Sequence, residues 1–427
     1  MSLIRDEFRR AQVAIGALFL LLGFQYTTWV SRLPAIKARL GLSDAEVGLL
    51  LMACGVGAAA SFPLVATMMR RFGSRRLCVA SAGVLGLLPL ALAAAPDYPV
   101  ALVIVCCDGV GVACLDVAMN AQGAELEERF ERKAMGKLHA TFSAGSLLGA
   151  LLASAMNAAT SSLEAHFTVS AALLIAVLAY TRADLLPHGQ TRPPARDDAF
   201  EAATSDEVES EAAEQAMANA KKQRRIPLPT RITLWMGLAM AFGTIVEGAM
   251  NDWSALYLKN VAKAAAGLDP MGIAAFSITM VVARVCSDSW RKRWGDGRVV
   301  ILGSALACIG LAAALMIGGV LPALVGFALV GLGIASTTPC VYVAAAGQGA
   351  DGLALVAAMG TVGLLAGPGA IGLIANAGGL GWAMGAVAVA AAVVAACTSR
   401  INWTASTAPA APDSGSAAPD AVPATAS

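Results

Sequence analysis

Runs of about twenty mostly apolar residues recur twelve times along this chain, and they constrain its fold more than any motif in it. A helix that crosses a membrane needs about 20 such residues, because each adds about 1.5 Å against a hydrocarbon core of about 30 Å. The first six runs lie near 11–33, 45–69, 77–95, 99–122, 137–158 and 164–181. The second six lie near 232–258, 270–290, 299–318, 321–345, 353–376 and 380–398. Only 14% of residues are charged, where a soluble domain carries about 25%, so little polar material is left to coat a water-facing surface. The expected fold is therefore an all-α membrane protein of twelve transmembrane helices. The first run is long and ends in polar Trp29-Val30-Ser31-Arg32, which reads as a retained span rather than a cleaved leader.

Charge then orients the spans. With the N-terminus inside, the cytoplasmic segments hold 24 Lys and Arg and the opposite segments hold 5. That bias places both termini in the cytoplasm of a multi-pass inner-membrane protein. A net charge of +1 gives no basic footprint for nucleic acid. The nine cysteines lie within apolar runs and form no Cys-x-x-Cys, so they read as free thiols, with no metal site and no cofactor.

Composition divides the chain into four parts. Residues 1–182 and 231–400 form two six-helix parts, and 183–230 is a linker that runs from Pro187 through Asp206-Glu207-Val208-Glu209 to Lys221-Lys222-Gln223-Arg224-Arg225. Residues 401–427, rich in Ala, Pro, Ser and Thr, form a tail expected to be disordered.

The two six-helix parts repeat at an offset of 222 residues. Arg70-Arg71-Phe72-Gly73-Ser74-Arg75-Arg76 lies over Lys292-Arg293-Trp294-Gly295-Asp296-Gly297-Arg298. At the same shift Gly109-Val110-Gly111-Val112-Ala113 lies over Gly331-Leu332-Gly333-Ile334-Ala335. Six spans per repeat give both halves the same orientation, as in parallel-repeat transporters.

Ionisable residues inside the spans carry the functional reading, since each costs roughly 2.5–3.5 kcal/mol at mid-bilayer and needs a reason to be there. Gln25, Trp29 and Arg32 share one stripe of the first span, and the repeat carries that stripe onto Glu247, Asn251 and Ser254 of the seventh. The fourth span adds Asp108, then Asp116 and Asn120 one turn apart, whose repeat equivalents are Thr338 and Tyr342. A polar cavity between the halves follows, with Asp116, Glu247 and Asp108 as proton-coupling carboxylates. Gln25, Trp29, Arg32, Asn120, Asn251, Thr338 and Tyr342 are candidate substrate ligands. Arg284 and Asp288, one turn apart, read as an i,i+4 pair at a gate. Arg70, Arg71 and Arg75 of the basic loop are the remaining gating candidates. Gly145-x-x-x-Gly149 and Gly363-x-x-x-Gly367 read as helix-packing faces, and Gly367-Pro368-Gly369 as a bend.

These residues resemble a family. Two six-helix halves with basic loops after the second and eighth spans are similar to the major facilitator superfamily, over about residues 10–400. Arg71-Phe72-Gly73-Ser74-Arg75-Arg76 resembles the second part of its Gly-x-x-x-Asp-Arg-x-Gly-Arg-Arg loop, with Ala66 and Arg70 at the glycine and acidic positions. Leu115-Asp116-Val117-Ala118-Met119-Asn120 resembles the Leu-Glu-x-x-x-Asn stretch of fucose-permease-like sugar:proton symporters. That resemblance implies proton linkage at Asp116 and a cavity position for Asn120. The permeases' first-span aspartate falls at about Val30 here. Together with Glu247 to Ser254, the stretch from Leu115 to Gly123 also resembles a poorly characterised bacterial inner-membrane subgroup near those permeases.

The expected function is secondary active transport of a small polar solute, sugar-like by preference, coupled to protons in a monomer set in the lipid bilayer. Two alternatives stay open: a proton-coupled efflux antiporter for drugs or metabolites, and a non-transporting sensor of the same fold. Enzymatic activity is not expected, because neither His-Glu-x-x-His nor a phosphate-cradling glycine loop occurs.

Overall fold

The computed structural model describes residues 2–132, 134–186, 230–265, 267–401 and 403, and it is built of helices. The expected linker, apart from its edges, and the tail beyond 403 lie outside the described residues. In chain order the helices before the linker are α1 (Ser2–Val30), α2 (Leu33–Leu40), α3 (Asp44–Ala60), α4 (Phe62–Ala94), α5 (Tyr98–Phe130), α6 (Met135–Ala159) and α7 (Leu163–Thr181). After it come α8 (Arg231–Asn260), α9 (Met271–Trp294), α10 (Asp296–Ile317), α11 (Val320–Ile334), α12 (Thr337–Ala346), α13 (Gly349–Gly378) and α14 (Leu380–Thr398).

Short polar signals begin several of these helices. Ser43 and Glu46 cap α3 reciprocally, each side chain bonding the other residue's backbone N–H. Asp97, Ser162 and Thr230 accept from the third residue on at the starts of α5, α7 and α8.

Ten helical stretches are long and apolar enough to cross a membrane, and α2 with α3, bent by 120°, would add an eleventh. Two departures separate this from twelve. The second expected span breaks at Ser61, after 17 residues of α3, where Ser61 and Pro63 interrupt the ladder. The eighth is apolar only over Met271–Ser287, because charge closes in beyond it. The tenth is likewise interrupted at Ala335–Ser336, between α11 and α12. The bend expected at Pro368 leaves α13 helical from Gly349 to Gly378. Large apolar side chains such as Val285, Met316, Leu321 and Trp382 stand more than 70% exposed on the outside of the bundle, the surface that lipid would cover.

The 222-residue repeat is a repeat of backbone geometry. Gly73 and Gly295, equivalent positions, both take positive φ (75° and 80°) with extended ψ (164° and 153°), a conformation open to glycine. A Cβ on Gly109 would sit 1.8 Å from the Cys54 carbonyl oxygen, and one on Gly331 would sit 2.3 Å from that of Phe276. Cys54 and Phe276 are themselves 222 apart, so the same close helix approach is built twice. The two glycine faces do matching work: Gly145 and Gly149 lie on backbone oxygens of α1, while Gly363 lies on that of Ala241 and Gly367 on Ile245, both in α8.

Helices on either side of the linker meet chiefly along two seams, α3 with α13 and α6 with α9. These are equivalent under the repeat. Each seam runs from the end of the bundle that carries Ser43 and Asp269, here the far end, to mid-bundle. The other end carries the basic segments about Gly73, where α4 is broken by a kink, Glu131 and Gly295, and is called the basic end. At the far end Gly48 faces Pro368, Gly369 and Gly372, with backbone against backbone.

Candidate functional site

The polar side chains of the bundle interior fall into three groups by depth. The far-end group is buried and bonded across the seams. Arg32, only 2% exposed, donates to Asn157 Oδ1 (2.8 Å) and to the Ser161 carbonyl (3.0 Å). Asn157 in turn donates from Nδ2 to Asp269 Oδ1 at 2.6 Å, so one neutral amide bridges a guanidinium and a carboxylate from opposite sides of the linker. Nearby, Ser154 donates to the Gly267 carbonyl.

Deeper in the same region the Tyr26 hydroxyl donates to Asp252 Oδ1 at 2.5 Å, again across the linker. Gln25, the residue before it, donates from Nε2 to Asp108 Oδ1 at 2.7 Å. Asp108 and Asp252 are 3% and 2% exposed, and among the described residues neither has an ion-pair partner. Gln25 Oε1, Trp253 Nε1 and Ser254 Oγ are buried with no hydrogen-bond partner among the described residues. Trp29 and Asp108 line one small cavity with Pro89 and Val105.

At mid-bundle, Arg284 of α9 donates to Glu247 Oε1 of α8 at 3.0 Å and to Ser143 Oγ of α6 at 2.9 Å. Both charged side chains stay about 30% exposed. The described bonds of Arg284 leave its own helix; the expected pair with Asp288 involves a side chain outside the described residues. Asn251 donates back to the Glu247 carbonyl at 3.0 Å.

The third group is open. Asp116 is exposed on α5, and Asn120 donates to its Oδ1 (3.1 Å) and carbonyl (2.8 Å). On α12, Thr338 is half-buried and Tyr342 is 37% exposed. α5 and α12 hardly touch, so the expected facing of Asp116 and Asn120 against Thr338 and Tyr342 is across open space rather than in contact. Among the basic-loop arginines, Arg75 donates to the Arg182 and Ala183 carbonyls, while Arg70 reaches only Thr67 and Arg71 lies over the Phe72 ring. None of these contacts crosses the linker.

The expected polar stripe therefore splits. Gln25, Trp29 and Arg32 are buried in far-end closure, whereas Glu247 and Asn251 remain half-open. Tyr26, Asn157, Asp252, Asp269 and Ser143 do not emerge from sequence reasoning. Much of the weight there falls on positions polar in both repeats, and the equivalents of Tyr26, Asn157 and Asp252 are Gly248, Gly379 and Val30. The available signal is plain polarity inside apolar runs.

A repeated bundle with charged groups at its interior seams defines an integral, multi-pass membrane transporter. The chain belongs to the Major Facilitator Superfamily, whose family profile matches residues 13–350. An uncharacterized MFS-type transporter of Yersinia pestis is 29% identical over 343 residues, covering 79% of this chain and 80% of that protein. The membrane protein MosC of Rhizobium meliloti is 27% identical over 333 residues, covering 78% and 75%. In fold, the chain is similar to a mutant form of the nucleoside transporter NupG (TM-score 0.68, 13% identity, 91% of this chain and 99% of that one). It is similar also to a bacterial homolog of the human lysosomal transporter Spinster in an inward-facing, occupied conformation (TM-score 0.67, 14% identity, 93% and 98%).

Proposed function

We propose that the protein is a secondary active transporter that moves a small polar solute, sugar-like by preference, across the inner membrane by proton symport. In this reading twelve spans form two six-helix halves, 1–182 and 231–400, that rock about a central site. The excess of Lys and Arg on one side places the basic end and both termini in the cytoplasm.

One observation carries the reading. Every polar bond described between residues before and after the linker lies at the far end or at mid-bundle. Such a bundle is closed on one side and parted on the other, as alternating access requires of each of its end states. Asp116, beside Asn120 on the parted side, is the carboxylate we assign to proton coupling. Glu247, held by Arg284 and Ser143 where α8, α9 and α6 meet, is placed to sense both the solute and the seam. Asn251, Asn120, Thr338 and Tyr342 supply neutral hydrogen-bonding groups suited to hydroxyls. A proton entering down the membrane potential supplies about 2.3 kcal/mol per 100 mV, and about 1.4 kcal/mol suffices for tenfold accumulation of a neutral solute.

A second reading, cation efflux by proton exchange, draws on the interior excess of carboxylates: Asp108, Asp116, Glu247, Asp252 and Asp269 against Arg32 and Arg284. Proteoliposomes separate the two. Symport predicts proton uptake on adding a sugar or polyol, lost in Asp116→Asn. Proton release on adding an organic cation, with silence toward sugars, would replace symport by efflux. Normal sugar accumulation in Asp116→Asn would remove Asp116 from the coupling.

A further inference from the structure

Asp108 and Asp252 are both buried, held by consecutive residues of α1. Asp252 belongs to α8, and its hydrogen-bond partner Tyr26 belongs to α1 on the other side of the linker. Asp108 belongs to α5 and is held by Gln25, the neighbour of Tyr26, with the Cys54 Sγ of α3 4.0 Å from its other oxygen. Two carboxylates are thus sealed from water by donors that are all neutral.

The surrounding cations are committed elsewhere. Arg32 bonds Asn157 and Ser161, and Lys37 of α2 bonds Asp44. Arg39 bonds the carbonyls of Leu92 and Ala93, and Arg284 bonds Glu247 and Ser143. Helices α11, α12, α13 and α14, which also pack on α8, bring no charged side chain among the described residues. Asp269 before α9 is bound to Asn157. Removing a carboxylate from water without a cation costs several kcal/mol. Such a group takes a proton instead.

Gln25 Oε1 is buried with no donor among the described residues, and Trp29 lines one small cavity with Asp108. Of the two carboxylates, Asp108 has the better means to keep its charge, with the Gln25 amide at 2.7 Å and the Trp29 indole on its cavity. Asp252 has one hydroxyl, and that hydroxyl comes from across the linker.

We propose that Asp252 is a second proton-binding site and that closing the far end loads it. As the halves meet, the Asp252 carboxylate takes one proton from water on the far side, and Tyr26 donates its hydroxyl hydrogen to Oδ1 of the resulting acid. On opening, the proton returns to that water. Closure at the far end is then itself a protonation step, separate from coupling at Asp116. The proposal rests on alternating access, but its first test does not require a solute.

Infrared difference spectra of the purified protein, titrated in pH, should contain a buried carboxylic-acid C=O band at neutral pH that disappears in Asp252→Asn and persists in Asp116→Asn. Loss of no band in Asp252→Asn would overturn the assignment. A second test uses Ile36→Cys, a buried position on α2, which packs on α8 across the seam. Labelling by a membrane-impermeant maleimide from the far side is measured in this background with Asp252 and with Asp252→Asn. Taking their ratio cancels the pH dependence of the thiol itself. That ratio should rise with pH by up to about tenfold per unit, the slope for one linked proton. A ratio flat across pH would overturn the proposal. A band that obeys these rules in a protein that moves no protons with any solute would instead retire the transport reading and leave the site standing.

Discussion

The two ends of the bundle are built on opposite principles. At the far end, Arg32, Asn157, Asp269, Tyr26 and Asp252 tie one helix set to the other through buried bonds, and Gly48 and Gly372 let α3 and α13 touch along their backbones. At the basic end the charged groups satisfy themselves locally: Arg129 with Glu7, Arg291 with Asp296, and Arg75 with main-chain carbonyls, each on one side of the linker. The far end also leaves polar atoms such as Thr27 Oγ1, Thr28 Oγ1 and Ser31 Oγ buried without partners. Each such group costs roughly 1–3 kcal/mol relative to a hydrated one. The closed end thus stores the tendency to open, and the parted end has little to lose by closing. That difference teaches where substitutions should matter.

The largest effect is expected from Gly48→Leu, whose side chain would be driven into the backbone of α13. Overpacking by about 1–3 kcal/mol should wedge the far end apart, raise far-side labelling of Ile36→Cys by tenfold or more and cut solute accumulation to match. Asn157→Ala should come next. It strands Asp269 and leaves Arg32 with the Ser161 carbonyl alone, costs about 2 kcal/mol, and should lower the thermal unfolding midpoint measured in detergent. Tyr26→Phe removes one hydrogen bond to a buried carboxylate, worth about 1.5 kcal/mol, and should raise far-side labelling while leaving that midpoint nearly in place. Arg75→Gln at the basic end should shift accumulation and midpoint by no more than about 0.5 kcal/mol. Gly83→Ala, with open space around it, sets the zero of the series. If the Arg75 variant outweighs the Tyr26 variant, the contrast between the ends is wrong.

Much of the architecture is legible in the residues because membrane helices announce themselves by length and apolarity. The repeat is visible because glycine serves positive φ at Gly73 and Gly295 and close helix approach at Gly109 and Gly331, so both pairs stay in register. The break at Ala335–Ser336 is not legible, since serine and alanine carry no strong stop signal, and at Ser61 the signal of Pro63 is masked by the apolar run around it. The site was read in part. Polar positions were found, but partners 226 and 112 residues apart, as Tyr26 with Asp252 and Asn157 with Asp269, follow from how the two helix sets meet and not from any local spacing. The Gln25, Trp29 and Arg32 stripe was read as cavity because nothing in a single helix tells an open polar face from a closed one.

The central claim is that transport requires the α3–α13 seam to part. A Cβ on Gly55 would lie 3.6 Å from the Leu365 Cα, so Gly55→Cys with Leu365→Cys places two thiols within disulfide reach across that seam. Solute-driven proton movement should be measured in liposomes carrying this double variant, before oxidation, after it, and after reduction. The account predicts movement that stops on oxidation and returns on reduction. Movement that continues at full rate through the oxidised protein would contradict it.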